Sequence, residues 1–285
     1  MLGSAMVRAL AKRLGPRTDE RLTAWGRDDL DITDRRAVTS RLALLRPLLV
    51  VNAAAFTDVD GAESRPELAR AVNATGCAHL AGACAARGAK LVHYSTDFVF
   101  DGAKQSPYAP SDATGPLSVY GQSKLDGELA IVRSGCRHLI LRTSWLFGAG
   151  GRNFVEAILA RALRGESLNV VDDQVGRPTM TTDLADATVR CLDAEADGVL
   201  HFANDGACSW HEFARDIVAQ SGLANEVRAI RSDDLDRPAK RPTYSVLDTG
   251  EYTSITGHHP RPWRQALADY LAERGEARRA APPKR

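Results

Sequence analysis

Leu48-Leu-Val-Val-Asn52 and Ala89-Lys-Leu-Val-His-Tyr-Ser95 flank a helical stretch from about Pro66 to Arg87, and this segment decides the fold. The first run is apolar up to its last residue, the pattern of a strand covered on both faces of a parallel sheet. Gly88 punctuates the helix at its C-terminal end. Upstream, residues 4–13 place Ala5, Met6, Ala9 and Leu10 at helical spacing. Arg21-Leu-Thr-Ala-Trp25 reads as a short strand ending at Gly26, and Asp34 as the N-cap of a helix through Leu45 that Pro47 stops. Downstream come a helix carrying Tyr120 and a strand, His138-Leu-Ile-Leu-Arg-Thr143. Strand and helix alternate, so the first half is a doubly wound α/β sheet.

The second half is less regular. Helices are expected over 154–163, near 183–192, from Trp210 behind a Ser209 cap to Gln220, and from Pro262 to Leu271. Strands are expected at Leu168-Asn-Val-Val171 and Val199-Leu-His-Phe202. The basic tail over 274–285, with Pro282-Pro283, is expected to be disordered.

At 285 residues, 44% hydrophobic and 26% charged with a net charge of +1, the composition is that of a soluble globular protein. The charge balance offers no electrostatic case for nucleic acid or an acidic membrane, and neither is expected as a partner. Five cysteines (Cys77, Cys84, Cys136, Cys191, Cys208), odd in number and without C-x-x-C, argue against a disulfide scaffold and fit the reduced thiols of a cytoplasmic protein. No apolar run approaches the roughly 18–20 residues needed to span a bilayer. His258-His259 has no carboxylate or cysteine at ligand spacing, so no metal is expected. Residues 1–14 are basic and acid-free, as an organelle presequence is.

Three stretches carry chemistry. In Ser118-Val-Tyr-Gly-Gln-Ser-Lys-Leu125 a helix sets Tyr120 and Lys124 at i and i+4 on one face. An ammonium beside a phenol favours phenolate and lowers its pKa from about 10, which suits a tyrosine that delivers a proton to a carbonyl oxygen whose carbon receives a hydride. With six tyrosines and six lysines, about 0.13 such pairs arise by chance, so the motif needs support. Asn52-Ala-Ala-Ala-Phe-Thr57 leaves a strand end with small side chains that let a flat cofactor approach the backbone; an ordinary strand-to-loop transition gives the same composition. Ser95-Thr96-Asp97 leaves the next strand, where its hydroxyls serve equally to cap a turn.

Taken together these stretches resemble the dTDP-4-dehydrorhamnose reductase family of extended short-chain dehydrogenases/reductases. The resemblance runs through Asn52-Ala-Ala-Ala-Phe-Thr-Asp-Val-Asp60, Ala71-Val-Asn-Ala-Thr75, His93-Tyr-Ser-Thr-Asp-Phe-Val-Phe-Asp-Gly102 and Val119-Tyr-Gly-Gln-Ser-Lys-Leu125. It continues through Leu141-Arg-Thr-Ser-Trp-Leu-Phe147, Asp173-Gln-Val-Gly-Arg-Pro-Thr179, Arg241-Pro-Thr-Tyr-Ser-Val-Leu-Asp-Thr249 and Pro262-Trp-Arg-Gln-Ala-Leu267. It implies a Rossmann-type dinucleotide-binding domain (1–143 plus roughly 175–204) and a smaller C-terminal α/β substrate domain (144–174 plus roughly 205–273). It implies reduction of the C4 ketone of dTDP-4-dehydrorhamnose to dTDP-L-rhamnose by NADPH or NADH. In that reading Tyr120 is the acid, Lys124 lowers its pKa and binds the nicotinamide ribose, and Thr96 hydrogen-bonds the carbonyl oxygen. Asp97 and Trp145 contact the sugar, Leu2, Gly3, Ala55, Phe56 and Thr57 line the cofactor, and Asp31-Ile32 holds the adenine edge. A homodimer is consistent with it. Arg27 is placed to meet a 2′-phosphate or to be a solvated loop arginine, Arg241 to meet the diphosphate or a surface carboxylate, and Asn73 to be structural.

One departure stands out. The family opens with a strand and a G-x-x-G-x-x-G turn, whereas here Gly3 matches the last glycine and residues 4–13 the first helix, against a presequence. The expectation is a chain lacking that first strand, which binds nicotinamide cofactor poorly. Two alternatives share the fold: a non-catalytic regulatory subunit like that of methionine adenosyltransferase, and a reductase of a related dTDP-4-keto-6-deoxy sugar.

Overall fold

The computed structural model describes residues 1–280. Its first elements are α1 (Leu2–Leu14), α2 (Thr18–Arg21), α3 (Arg35–Leu45), β1 (Leu49–Asn52), α4 (Val59–Ser64), α5 (Pro66–Arg70), α6 (Gly76–Ala85), β2 (Lys90–Thr96), α7 (Val119–Arg133) and β3 (His138–Thr143). All seven residues of β2 are buried, because it has strands on both sides and helices on both faces. Its side chains alternate between two cores, as a pleated strand requires. Val92 and Tyr94, with Leu139 and Leu141 of β3, meet Ala5, Met6 and Leu10 of α1. Leu91 and Ile140 meet Val38 and Leu42 of α3 and Leu80 and Cys84 of α6. Helices on both faces make the sheet doubly wound.

The second half adds β4 (Leu146–Phe147), α8 (Phe154–Leu163), β5 (Leu168–Val171), β6 (Val175–Gly176), β7 (Thr179–Met180), α9 (Thr181–Asp193), β8 (Gly198–His201), β9 (Cys208–Ser209), α10 (Trp210–Gln220), β10 (Val227–Ile230), α11 (Gly250–Thr256) and α12 (Trp263–Ala280). The strand β8 returns to the main sheet, which is parallel in the order β1-β2-β3-β8. The remaining elements form a second core around Phe147, Phe213 and Trp263, beside the parallel pair β5–β10. Ser209 caps α10 in a reciprocal box with Glu212, two backbone donors being satisfied at once.

Asp34 caps α3 as expected, accepting from the Arg36 and Ala37 amides. Four expectations change. Residues 22–26 form no strand: the chain there has no neighbouring strand among the described residues to exchange backbone bonds with, although Leu22 and Trp25 still pack on the two cores. β1 is not covered on both faces: Leu49, Val50 and Val51 are half-buried, since its outer edge pairs with no described strand. The long helix over 66–87 is interrupted by a π turn at Ala71–Thr75. Finally, α12 runs on as helix through 274–280, which the sequence assigned to a disordered tail; 281–285 lie outside the described residues.

Candidate active site

Ligands of an open parallel sheet gather beyond the carboxyl ends of its strands. Here β1 ends at Asn52, β2 at Thr96 and β3 at Thr143, and the motif residues leave from these ends. The helix α7 is docked against them. Ser118 caps it by accepting from the Gly121 amide at 3.1 Å, and the Val119 amide donates to Glu63 at 2.8 Å. Its glycines set how closely it sits. A Cβ at Gly121 would lie 2.3 Å from the Phe98 carbonyl oxygen, and one at Gly127 would lie 2.1 Å from that of Asn73.

This docking brings Tyr120, Lys124, Thr96 and Asp97 together. The half-buried Tyr120 packs edge-on to Phe98 at 5.9 Å, with the Thr96 hydroxyl close enough to favour its ionised form. Burial pushes its pKa up to about 12, against the Thr96 contact, with the Asp97 charge adding to the rise. The lowering expected from the Tyr/Lys spacing is therefore not what this structure holds. The Lys124 ammonium is turned toward β2, with Nζ 2.6 Å from the Tyr94 carbonyl oxygen and 3.1 Å from His93 Nε2, and burial lowers its own pKa. Asp97 is buried with both oxygens engaged: the Thr96 hydroxyl donates to one at 3.1 Å and the Ser245 hydroxyl to the other at 2.5 Å. Burial raises its carboxyl to about 7 despite these donors.

On the β1 side, Ala53, Ala54, Ala55 and Thr57 are exposed, and Phe56 is half-buried beneath the Arg65 guanidinium. Phe56 is held by its backbone: its amide donates to Asn73 Oδ1 at 2.8 Å, and Asn73 Nδ2 donates to its carbonyl at 3.0 Å. Asn73 also donates to Ser123 of α7 at 3.0 Å. The π turn projects this side chain from the helix, a common use of such turns at functional sites. Leu2 and Gly3 open α1, and a Cβ on Gly3 would stand 3.7 Å from that of Ala53. Asp31 accepts from the backbone and hydroxyl of Thr33, which hold its carboxyl below the ordinary range, with Arg27 adding to the effect. Ile32 is drawn onto α6 beside Gly76, where its carbonyl accepts from His79.

These features fit a dinucleotide. Small exposed residues line the exit of β1, and the α1 amides next to them carry no side-chain cap, an arrangement that suits a pyrophosphate. The buried Ser95 and Thr143 hydroxyls, at the ends of β2 and β3, have no partner among the described residues.

Trp145 leaves β3 with a left-handed backbone, φ 47°, unusual for a bulky side chain. Its ring stacks on Trp210 with centroids 3.6 Å apart and presses on Gly176, where a Cβ would lie 2.6 Å from the indole. Arg241 meets a carboxylate: it grips Asp60 with NH1 at 3.1 Å and NH2 at 2.7 Å, tying the C-terminal segment to α4. Below the site, Arg142 of β3 is paired to Glu128 of α7, both buried, and its other arm donates to the Pro110 carbonyl at 3.1 Å.

Sequence reasoning missed Ser245, Trp210, Asn52 and His93 as site-forming residues, and it placed Asn73 as structural without seeing that it pins the β1 loop. The contact from Ser245 to Asp97 spans 148 positions, which no local spacing reveals. A resemblance-borne segment did include Ser245, and that was the one available signal.

Comparison with known proteins agrees with this geometry. The family model described as the RmlD substrate binding domain matches residues 1–275. The dTDP-4-dehydrorhamnose reductase of Streptomyces griseus is 43% identical over 96% of this chain and 93% of its own. The crystal structure of a dTDP-4-dehydrorhamnose reductase from Clostridium acetobutylicum superposes with a TM-score of 0.89 at 36% identity, covering 95% of this chain and 96% of that one. That of the Bacillus anthracis dTDP-4-dehydrorhamnose reductase in complex with NADP gives 0.88 at 32% identity, covering 94% and 95%.

Proposed function

The chain belongs to the RmlD substrate binding domain family, with the dTDP-4-dehydrorhamnose reductases, and from that premise we propose that it reduces the C4 ketone of dTDP-4-dehydrorhamnose to dTDP-L-rhamnose with NADPH or NADH. The observation that carries the reading is the convergence of Tyr120, Thr96 and Lys124 where β2 ends, next to the small-residue exit of β1. The nicotinamide, when bound, supplies the hydride. Tyr120 directs its hydroxyl at the ketone oxygen, where negative charge develops as the carbon is reduced, and Thr96 turns to that oxygen the proton it here gives Asp97. Tyr120, held protonated by burial, gives its proton to that oxygen. Lys124 holds the ribose hydroxyls and, once it gains a proton, stabilises the tyrosine as it becomes anionic. Leu2 and Gly3 at the start of α1 hold the pyrophosphate, Ala55, Phe56 and Thr57 the nicotinamide half, and Asp31-Ile32 the adenine edge. Asn73 keeps Phe56 in place for this.

The sugar nucleotide lies toward the second core, with residues 1–143 and roughly 175–204 serving the dinucleotide and 144–174 and 205–273 the sugar. Trp145, braced by Trp210, forms the sugar-facing wall, and Asp97 orients Thr96 beside the sugar. The regulatory-subunit alternative is not favoured: the residues a reductase needs are present, and the relatives from Streptomyces griseus and Clostridium acetobutylicum are reductases. No helix among the described residues is long and apolar enough to cross a membrane. Reduced nicotinamide consumption is measured with purified protein and dTDP-4-dehydrorhamnose, and product by chromatography. Turnover to dTDP-L-rhamnose supports the proposal; absence of turnover with either reduced cofactor overturns it.

A further inference from the structure

Behind Lys124 lies a buried polar chain that the reaction scheme above does not use. His93 of β2 is fully buried, with Nε2 3.1 Å from Lys124 Nζ and Nδ1 3.1 Å from Asn52 Nδ2. Asn52 is oriented by a group that can only donate: the Ala54 amide gives its proton to Asn52 Oδ1 at 3.1 Å. The Asn52 nitrogen therefore faces His93, so Nδ1 must accept. A neutral imidazole has one accepting and one protonated nitrogen, which puts the ring proton on Nε2, pointing at Lys124. An N–H aimed at Nζ is satisfied only when Lys124 is a neutral amine that accepts from His93 while donating to the Tyr94 carbonyl at 2.6 Å. If Lys124 is an ammonium, His93 must shift its proton to Nδ1, and two N–H groups then face each other across 3.1 Å in a buried site.

We propose that His93 is a positioning residue whose tautomer, fixed by Asn52, sets the charge of Lys124: the Nε2–H form holds a neutral amine, and gain of a proton by Lys124 is coupled to movement of the ring proton to Nδ1. The role in turnover rests on the reductase reading; the tautomer itself does not. The surroundings leave His93 in control. On α6, burial pushes the Cys77 thiol up to about 11, and its sulfur, 3.8 Å from Nδ1 and 3.9 Å from Nε2, lies in line with neither ring nitrogen. On α7, Glu128 is taken by Arg142 and Tyr120 stays neutral, with Asp97 beyond it. The imidazolium form is disfavoured by burial and then by the Lys124 charge.

Imidazole 15N NMR of the full chain, histidine-labelled and free of cofactor, reads the tautomer whether or not turnover is seen. We expect His93 protonated on Nε2 and bare on Nδ1 at neutral pH, and Asn52→Asp to move the proton to Nδ1, because a carboxylate accepts there. His93→Gln presents a carbonyl to the ammonium without changing the charge. It should move the alkaline limb of kcat/KM upward by about one pH unit or more, the cost of a buried unmet donor removed. Wild-type His93 protonated on Nδ1, or an alkaline limb unmoved in a folded His93→Gln protein, overturns the proposal. Should Asn52→Asp or His93→Gln fail to fold, the wild-type spectrum still decides.

Discussion

Replacing Glu128 by methionine should destabilise the protein severely, and replacing Arg142 with it should restore most of the loss. Both side chains are almost wholly buried, 6% and 4% exposed, and three hydrogen bonds join them: Nε to the two carboxylate oxygens at 3.0 and 3.2 Å, and NH2 to one at 2.7 Å. In Glu128→Met the guanidinium keeps the Pro110 carbonyl, a long contact of 3.5 Å to His201 Nε2 and the Phe100 ring face at 5.2 Å, none of them charged. An uncompensated buried charge of this kind costs about 3–5 kcal/mol. At roughly 2–3 °C per kcal/mol for a chain of this size, the melting temperature should fall by about 6–15 °C. The double variant Glu128→Met/Arg142→Met buries apolar groups of similar volume and should lie within about 2 kcal/mol of the parent. Denaturant unfolding of parent, two singles and double closes a mutant cycle that isolates the coupling. A loss below about 1 kcal/mol in Glu128→Met, or a double variant as unstable as the sum of its singles, would falsify the account of this pair as the bolt between α7 and β3.

Other outcomes follow from the same structure. Tyr120→Phe should reduce turnover by a factor on the order of 10²–10⁴ with sugar-nucleotide affinity nearly intact, measured by steady-state kinetics and calorimetry; a fully active variant removes Tyr120 from the chemistry. Trp145→Ala should raise KM for the sugar nucleotide while leaving NAD(P)H affinity unchanged, whereas a broad loss of stability in melting curves would make the indole a core residue. Asp97 has a folded-state pKa of about 7, raised above its ordinary value near 4, so the native state binds more protons than the unfolded chain between those pH values. Its stabilising contribution is thus complete below about pH 4 and lost as pH rises through about 7. Asp97→Asn should flatten that slope in stability measured across pH 4–8, and an unaltered slope counts against a buried neutral carboxyl.

How much of this could be read in advance depended on distance along the chain. The strands β2 and β3 and the helix α3 were legible because apolar periodicity and a capping residue such as Asp34 are local signals. The pairing of Tyr120 with Lys124, and the Thr96 loop beside them, were legible for the same reason. The strand expected at Arg21–Trp25 failed because strand formation needs a partner, which composition does not supply. The π turn was hidden by an alanine-rich stretch equally compatible with an unbroken helix. The Tyr120 pKa was misread because spacing weighs only the neighbouring charge, while burial, the larger effect here, is a property of the assembled fold.

The tie between Ser245 and Asp97 has a consequence for how the protein comes into being. Synthesis is vectorial, and an emerging chain can close the β1-β2-β3-β8 sheet once His201 is available, since its strands need nothing further downstream for their backbone bonds. Asp97 at that moment still lacks the hydroxyl that occupies one of its oxygens, and Asp60 lacks the guanidinium of Arg241. Both arrive more than thirty-five residues later, in one short segment. A sheet formed before that segment is made would hold an unfinished site, which the segment from Arg241 to Ser245 completes.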